Sequence, residues 1–415
     1  MTTKKHHVII GASAAGMAAA SAILKNDPGS RVTVLSDEAD PPYFRPLIPF
    51  IISGKKSPSH VALMGQGPYI KEGIDLRLNT RALAIDPGNR RVTTTAEPLF
   101  FDRLLIASGG APLLPPEIDG TRMKGVYALR TLAQAREAAL RSQTARRAVM
   151  IGGGLLNLKA SFALLEKGVS VTLVVRSKEI LSQLMEPDDA LMIREALEGA
   201  GLKMITGASA RRILSGGDGA AALLLDNGTE LPAEMVFIGK GVRPAVDFLA
   251  GSGIDIDSGV VVNPYTETSE KGIFAAGDAA ATIDPITGEK IVTGLWTNAV
   301  EMGLCAGKNM AGAKTAYQGS FGVMNATQVA GLPFVSMGLT HTGESGVEVH
   351  RTLSKTAYRK LVFSGDGRRL IGLVMIGDIE KAGLYRFIMR ERRDILKFKE
   401  KIIRHTLSSA DMMAG

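Results

Sequence analysis

The chain has 415 residues, too many for one hydrophobic core, so two or three domains are expected. Its 45% hydrophobic and 22% charged residues are ordinary for a globular protein, and 5% aromatic content with one tryptophan argues against a stacking platform for single-stranded nucleic acid. The net charge of +8 says little about partners, while a single cysteine, Cys305, excludes an intramolecular disulfide, a redox cysteine pair and a cysteine-held cluster.

The first predicted element is an apolar strand at 8–10, read as buried and parallel. It breaks at Gly11, Ser13 and Gly16, and Ala14 and Ala15 open an alanine-rich helical run. A second strand at 32–35 ends in Asp37 and Glu38. This order suits a dinucleotide. Gly11 makes the turn, a small residue at 13 admits a pyrophosphate, Gly16 lets helix meet strand, and an acid near position 37 holds ribose hydroxyls. Lys4 and Lys5 before this run imitate a secretory leader, but the glycine spacing explains the run better. No apolar stretch is long enough to span a bilayer, and the chain reads as cytoplasmic.

A proline-broken loop at 40–49 follows, expected to be neither helix nor central strand. Short strands are predicted at 74–78 and 81–85, then a turn at 86–89 and an apolar strand at 101–107. That strand ends in Ala107, Ser108 and Gly109, where glycine permits close approach to a ligand. Prolines 112, 115 and 116 mark a boundary. After a helix at 132–141 the opening design repeats: a strand at 148–151, the turn Gly152 to Gly154, Leu155 opening a helix to 167, and a strand at 169–175. Duplication makes two dinucleotide folds a far stronger reading than either motif alone. A hairpin around Asp226-Asn227-Gly228 and a strand at 235–239 close this unit.

A short strand then ends in Gly277-Asp278, placing a carboxylate where α/β sheets bind ligands, and a helix follows at 297–310. From about 313 the pattern changes to strands at 334–339, 347–349, 358–363 and 370–376, then a basic helical tail at 379–405. None of the six histidines shows a metal-ligand spacing with acids or cysteine, so no metal site is expected.

Together, Gly11-x-Ser13-x-x-Gly16, Pro42-Tyr43-x-Arg45-Pro46, Ala107-Ser108-Gly109-Gly110, Leu129-Arg130-Thr131, the Gly277-Asp278 strand end and Leu295-Trp296-x-Asn298-Ala299 resemble the FAD-dependent pyridine-nucleotide oxidoreductases. The chain is similar to rubredoxin and ferredoxin reductases, NADH oxidases, coenzyme A disulfide reductases and the flavin domain of assimilatory nitrite reductases. The resemblance implies an α/β fold with two Rossmann-like domains, for FAD and NAD(P), and a C-terminal α+β interface domain. It places an FAD domain at 1–116, an NAD(P) domain at 117–245, the returning FAD segment at 246–312 and a dimerisation domain at 313–415. It implies that Asp278 holds the ribityl and pyrophosphate part of FAD, and that Asp37, or Glu38 in its stead, holds the adenosine ribose. Arg45 and Arg130 would line the pocket, and Trp296, Thr297 and Asn298 would lie near the isoalloxazine.

The chain departs from these relatives in four ways. The slot that reads Cys-Gly-Leu-Pro-Tyr in disulfide-reducing members reads Pro46-Leu47-Ile48-Pro49-Phe50, which excludes thiol and sulfenate chemistry by that route. The third glycine of the second motif is Asn157, a polar residue where close packing is needed. The acid that would select NADH is Val175, followed by Arg176, which favours NADPH through a 2′-phosphate. A lysine–glutamate pair that relatives carry beside the flavin is replaced by Phe50 and Lys159, so a weakened nicotinamide site is expected.

Two functions follow from the resemblance. One is an FAD-dependent NAD(P)H:acceptor oxidoreductase. The other is an FAD-carrying electron-transfer subunit that no longer uses a pyridine nucleotide efficiently. From Lys381 onward nine Lys or Arg stand against four acids, five of the net +8. That tail is a candidate dock for an acidic redox protein of ferredoxin or rubredoxin type, or for a partner oxidoreductase. No nucleic-acid motif accompanies the charge.

Overall fold

The computed structural model describes residues 4–63, 69, 73–284, 288–319, 324–343 and 346–413. The chain forms two compact units, one of residues 1–113, 129–139 and 241–320, the other of 114–128, 140–240 and 321–415.

The first unit is built on a five-stranded sheet in the order Ile273–Ala275, Arg103–Ile106, His6–Ile10, Arg31–Leu35, Ile74–Arg77, every neighbour parallel. Its strands are near-continuous apolar runs because both faces are covered. Val8, Ile9, Val32, Val34, Leu104 and Leu105 are fully buried. The helix Ala14–Asn26 packs on Trp296–Met310 across small residues. A Cβ on Gly303 would strike the Ala15 carbonyl, and one on Gly307 would lie 2.5 Å from the Ala19 carbonyl oxygen. The returning segment is thereby pressed onto the helix of the first glycine motif.

The second unit repeats the plan with the order Lys203–Thr206, Ser170–Val175, Arg147–Ile151, Met235–Ile238, Val126–Tyr127, again all parallel. An antiparallel set, Ala210–Gly216, Gly219–Leu225 and Glu230–Pro232, adjoins it, with the expected hairpin at Asp226–Gly228. The same unit holds a five-stranded antiparallel sheet ordered Met324–Val329, Leu332–Gly338, Leu370–Ile376, Tyr358–Phe363, Glu348–Leu353. Ile388, Ile395 and Ile402 pack under it with Tyr385.

Three expectations need correction. The proline loop does carry helix: Arg45–Leu47 is a 3-10 turn and Pro49–Ile52 a helical turn, each with proline in its first turn, where a missing N–H costs nothing. The tail is not one helix but two, Ala382–Arg390 and Lys399–Ile403. Between them Arg392 takes a left-handed φ of 47° and the Ile395 amide bonds the Arg368 carbonyl, so Ile395 is buried by leaving the helix. Phe387, expected to pack down, is 42% exposed. Two elements lie outside the expectations above: the polar strand Met324–Val329, which has no apolar alternation to announce it, and the helix Pro187–Gly199, which has proline and aspartates in its first turn and buries Ala190, Ile193 and Leu197 on one face.

Candidate dinucleotide sites

Gly11 sits just past the strand His6–Ile10 at φ 114°, and a Cβ there would collide with the Ala107 carbonyl. One on Gly16 would collide with the Gly11 carbonyl. The turn therefore lies directly on the backbone at the end of Arg103–Ile106, as the spacing predicts. Ser13 is the extended N-cap of Ala14–Asn26, makes no side-chain cap, and no acid occupies the first turn. The helix leaves its N-terminal amides and positive dipole end for an anion.

Around this edge lies a charged network. Asp278, in the 3-10 turn Gly277–Ala279, stands 3.4 Å from Arg130 Nη2. Gly277 (φ 72°) allows the approach, its Cβ position being 3.2 Å from Ala15 Cβ. Arg130 lies over Gly109, 3.3 Å from where a Cβ would be. Burial and the neighbouring Arg45 charge pull the Arg130 guanidinium below the ordinary arginine value, against the pull of Asp278. Arg45 donates to the Arg130 carbonyl at 2.6 Å, to Tyr43 Oη at 3.0 Å and to Glu38 Oε1 at 2.7 Å. Tyr43 in turn donates to Glu38 Oε2 at 2.7 Å and accepts the Leu132 amide at 3.0 Å. Glu38 thus already has two donors, whereas Asp37 is exposed and pairs with Arg81 at 3.2 Å. Trp296 opens the helix Trp296–Met310 with its ring 5.3 Å from that of Phe44, and Thr297 beside it is exposed. Pro46 is exposed in its 3-10 turn and Phe50 is half-buried in Pro49–Ile52.

FAD fits this edge. The glycine cradle admits a phosphate backbone, and Ser108 Oγ and Asn298 Nδ2 are buried with no hydrogen-bond partner among the described residues. Native proteins rarely leave such atoms unmatched, and both belong to segments aimed at the same sheet edge. Cys305 has no part in the site. It is buried in the helix Trp296–Met310, bonded to the Thr315 carbonyl, and burial raises its thiol pKa.

The second edge is built alike. Gly152 has φ 104°, and its Cβ position falls on the Gly239 carbonyl. Gly154 caps the helix Leu155–Leu165, whose first turn again lacks acids. Asn157 does not disturb this packing. Its Nδ2 donates to the carbonyls of Ile151 and Gly152 at 2.9 and 2.8 Å, and a Cβ on Gly239 would lie 2.5 Å from that nitrogen. Gly239 makes the room that the third motif glycine usually supplies.

The strand register fixes what surrounds the turn. Ile151 pairs with Val174 on one side and with Ile238 on the other, so Arg176 and Lys240 flank Gly152–Gly154. Lys240 was not legible as a site residue, because only the pairing of Met235–Ile238 beside Arg147–Ile151 places it there. Burial and the Arg176 charge lower its pKa, opposed by Glu117. Lys159 is half-buried on Leu155–Leu165 with no hydrogen-bond or ionic partner among the described residues, and burial lowers its pKa too. Arg176 and Lys240 give this edge a pair of cations, with Glu117 acting on Lys240. Among the described residues no cluster of His, Cys, Asp and Glu could hold a metal ion, and no helix is long and apolar enough to cross a membrane.

Known proteins are similar to this chain over most of its length. A family model described as pyridine nucleotide-disulphide oxidoreductase matches residues 5–303. The NADH-dependent phenylglyoxylate dehydrogenase subunit epsilon of Aromatoleum evansii is 29% identical over 97% of this chain and 95% of its own length. An NADH oxidase of Methanocaldococcus jannaschii is 27% identical over 89% of this chain and 87% of its own. Among solved structures, the covalent putidaredoxin reductase–putidaredoxin complex superposes with a TM-score of 0.87 at 22% identity, covering 97% of this chain and 99% of that one.

Proposed function

The chain belongs to the pyridine nucleotide-disulphide oxidoreductase family as one of its flavoproteins, and we propose that it carries electrons from NAD(P)H, NADPH preferred, to a separate acceptor without a redox-active disulfide. The observation that carries this reading is the repetition of one dinucleotide-binding edge in two parallel sheets, while the only cysteine is buried in a helix elsewhere. Bound FAD supplies the redox chemistry, accepting two electrons from the nicotinamide and releasing them to the acceptor.

The chain's residues bind and orient. Gly11, Ser13, Gly16 and the amides of Ala14 and Ala15 cradle the pyrophosphate of FAD. Asp278, steadied by Arg130, takes ribityl hydroxyls, and Ser108 and Asn298 supply the remaining polar contacts. Asp37, whose pair with Arg81 is exposed, is the carboxylate for the adenosine ribose, since Glu38 is engaged by Arg45 and Tyr43. At the second edge Gly152, Gly154 and Leu155 receive the NAD(P) pyrophosphate, and Arg176 with Lys240 favours the additional phosphate of NADPH. The relatives named for NADH weigh against that preference, and the missing acid at Val175 weighs for it.

We take the acceptor to be an acidic ferredoxin- or rubredoxin-type protein or a partner oxidoreductase, with the enzyme acting as a cytoplasmic homodimer. A second reading has one specific support. The relative from Aromatoleum evansii is named as a dehydrogenase subunit, which fits a chain that works inside a larger complex, while its NADH-dependent name weighs against the loss of nicotinamide use that Lys159 would bring. Steady-state reduction of ferricyanide separates the two. Turnover with NADPH exceeding that with NADH supports the enzyme, and no turnover with either nucleotide by FAD-loaded protein supports the subunit.

A further inference from the structure

The second glycine turn is braced from outside its own sheet. After Arg176 the chain runs back over the turn: the Leu181 amide donates to the Gly153 carbonyl at 3.0 Å, and a Cβ on Gly153 would lie 3.2 Å from Ile180 Cα. Ile180 and Leu181 are 1% and 2% exposed, and Leu181 is held at φ 54°, a left-handed conformation costly for leucine. A residue kept there needs its surroundings to over-determine it. Just beyond Leu181, the segment 182–189 is held by the loop after Leu332–Gly338 and by the C-terminal antiparallel sheet.

His341 Nε2 meets the Ser182 carbonyl at 3.0 Å. Beyond it, Glu186 caps the helix Pro187–Gly199 and shares a capping box with Asp189. The fully buried Lys360 donates to Glu186 Oε2 at 2.7 Å, to Asp189 Oδ2 at 3.1 Å and to the Thr340 carbonyl at 2.7 Å. Arg351 donates to Glu186 Oε2 at 2.7 Å, the Thr342 amide and hydroxyl both donate to Glu186 Oε1 at 2.8 Å, and Tyr358 donates to Asp189. Two carboxylates and an ammonium are thus satisfied together, Lys360 and Asp189 buried and Glu186 partly exposed, in a cluster whose geometry is fixed because loss of either sign strands the other.

We propose that the C-terminal sheet positions the second glycine turn, with Lys360, His341 and Arg351 setting the path of residues 177–186 and through it the affinity of that edge for its nucleotide. The inference rests on the reading of this edge as the NAD(P) site. None of the three touches the turn; they are positioning residues, acting through Ser182, Glu186 and Asp189. By linkage, a nucleotide bound at the turn tightens the hold of the sheet on this segment by the same factor.

The test is calorimetric titration of the FAD-loaded full chain with NADP+ and with NAD+, for wild type, Lys360→Met, His341→Ala and Arg351→Ala. The expected result is a Kd for NADP+ raised about 10-fold in Lys360→Met and about 5-fold in each of the others, within the usual range of coupling between sites, with FAD content unchanged. Should Lys360→Met fail to fold, the two surface variants decide. A role confined to stability lowers the melting temperature and leaves the Kd of every folded variant at the wild-type value, which overturns the proposal while the NAD(P) reading stands. A wild type that binds neither nucleotide overturns both.

Discussion

Arg176 and Lys240 stand on either side of the second glycine turn, and their charges already act on one another. Removing either should act on the nucleotide's extra phosphate alone. Arg176→Ala is expected to raise the apparent constant for NADPH about 10-fold or more and leave NADH nearly unchanged, as for a lost charge-assisted phosphate contact. Equal effects on the two nucleotides in steady-state assays would remove Arg176 from the phosphate. Lys159 poses a different question. An ammonium has no acceptor for the nicotinamide amide and is costly to keep in a half-buried place. Lys159→Glu should therefore speed flavin reduction by NAD(P)H. If the variant only slows it, Lys159 has another role. The glycine turns were legible in the sequence because their geometry is local. Tyr43, which joins Glu38, Arg45 and the Leu132 amide, was not, since nothing in a proline-rich loop tells which side chains its oxygen will meet.

Helix packing carries the site at the next scale. Ala14–Asn26 and Trp296–Met310 touch through Ala15, Ala19, Gly303 and Gly307, and that contact places the N-termini of both helices at one sheet edge. Gly303→Ala should cost about 1–3 kcal/mol of stability by overpacking and lower the fraction of protein purified with flavin. Unchanged thermal stability and flavin content would show that the two helices can part without harm. The parallel strands were readable because burial on both faces leaves runs such as Val8–Ile10 without polar breaks. The tail was not. Ile388, Ile395 and Ile402 recur every seven residues, which suggests one helix, yet the Arg368 carbonyl and the left-handed Arg392 divert the chain so that Ile395 is buried from a turn. A one-dimensional pattern records that these residues are buried and not the route by which they reach the core.

For the whole molecule, the Glu186 cluster makes stability depend on acid. Burial would raise its pKa, but the hydrogen bonds from Lys360 and Thr342 and the Lys360 charge outweigh burial and bring it to about 2, below its ordinary 4.5. The folded value lies below the unfolded one, so this contribution is complete above about pH 4.5 and is lost as pH falls toward 2. Thermal melts should show that loss in wild type and a smaller one in Glu186→Gln; identical acid profiles would show that Glu186 does not supply it. Arg390, Arg392, Arg393 and Lys397 are exposed beside Phe387 and Leu396, and with Glu391 and Asp394 exposed among them the stretch keeps a net basic charge. Reduction of an acidic carrier should slow as salt rises and on charge reversal at Arg392 and Arg393. The central claim, that one chain joins an FAD site to an NAD(P)H site, is tested most directly by anaerobic stopped-flow mixing of the FAD-loaded protein with NADPH and with NADH while the visible flavin band is followed. Full bleaching at a rate that saturates with nucleotide, at lower concentration for NADPH than for NADH, is the predicted result. A flavin band that neither nucleotide bleaches at any concentration would contradict it.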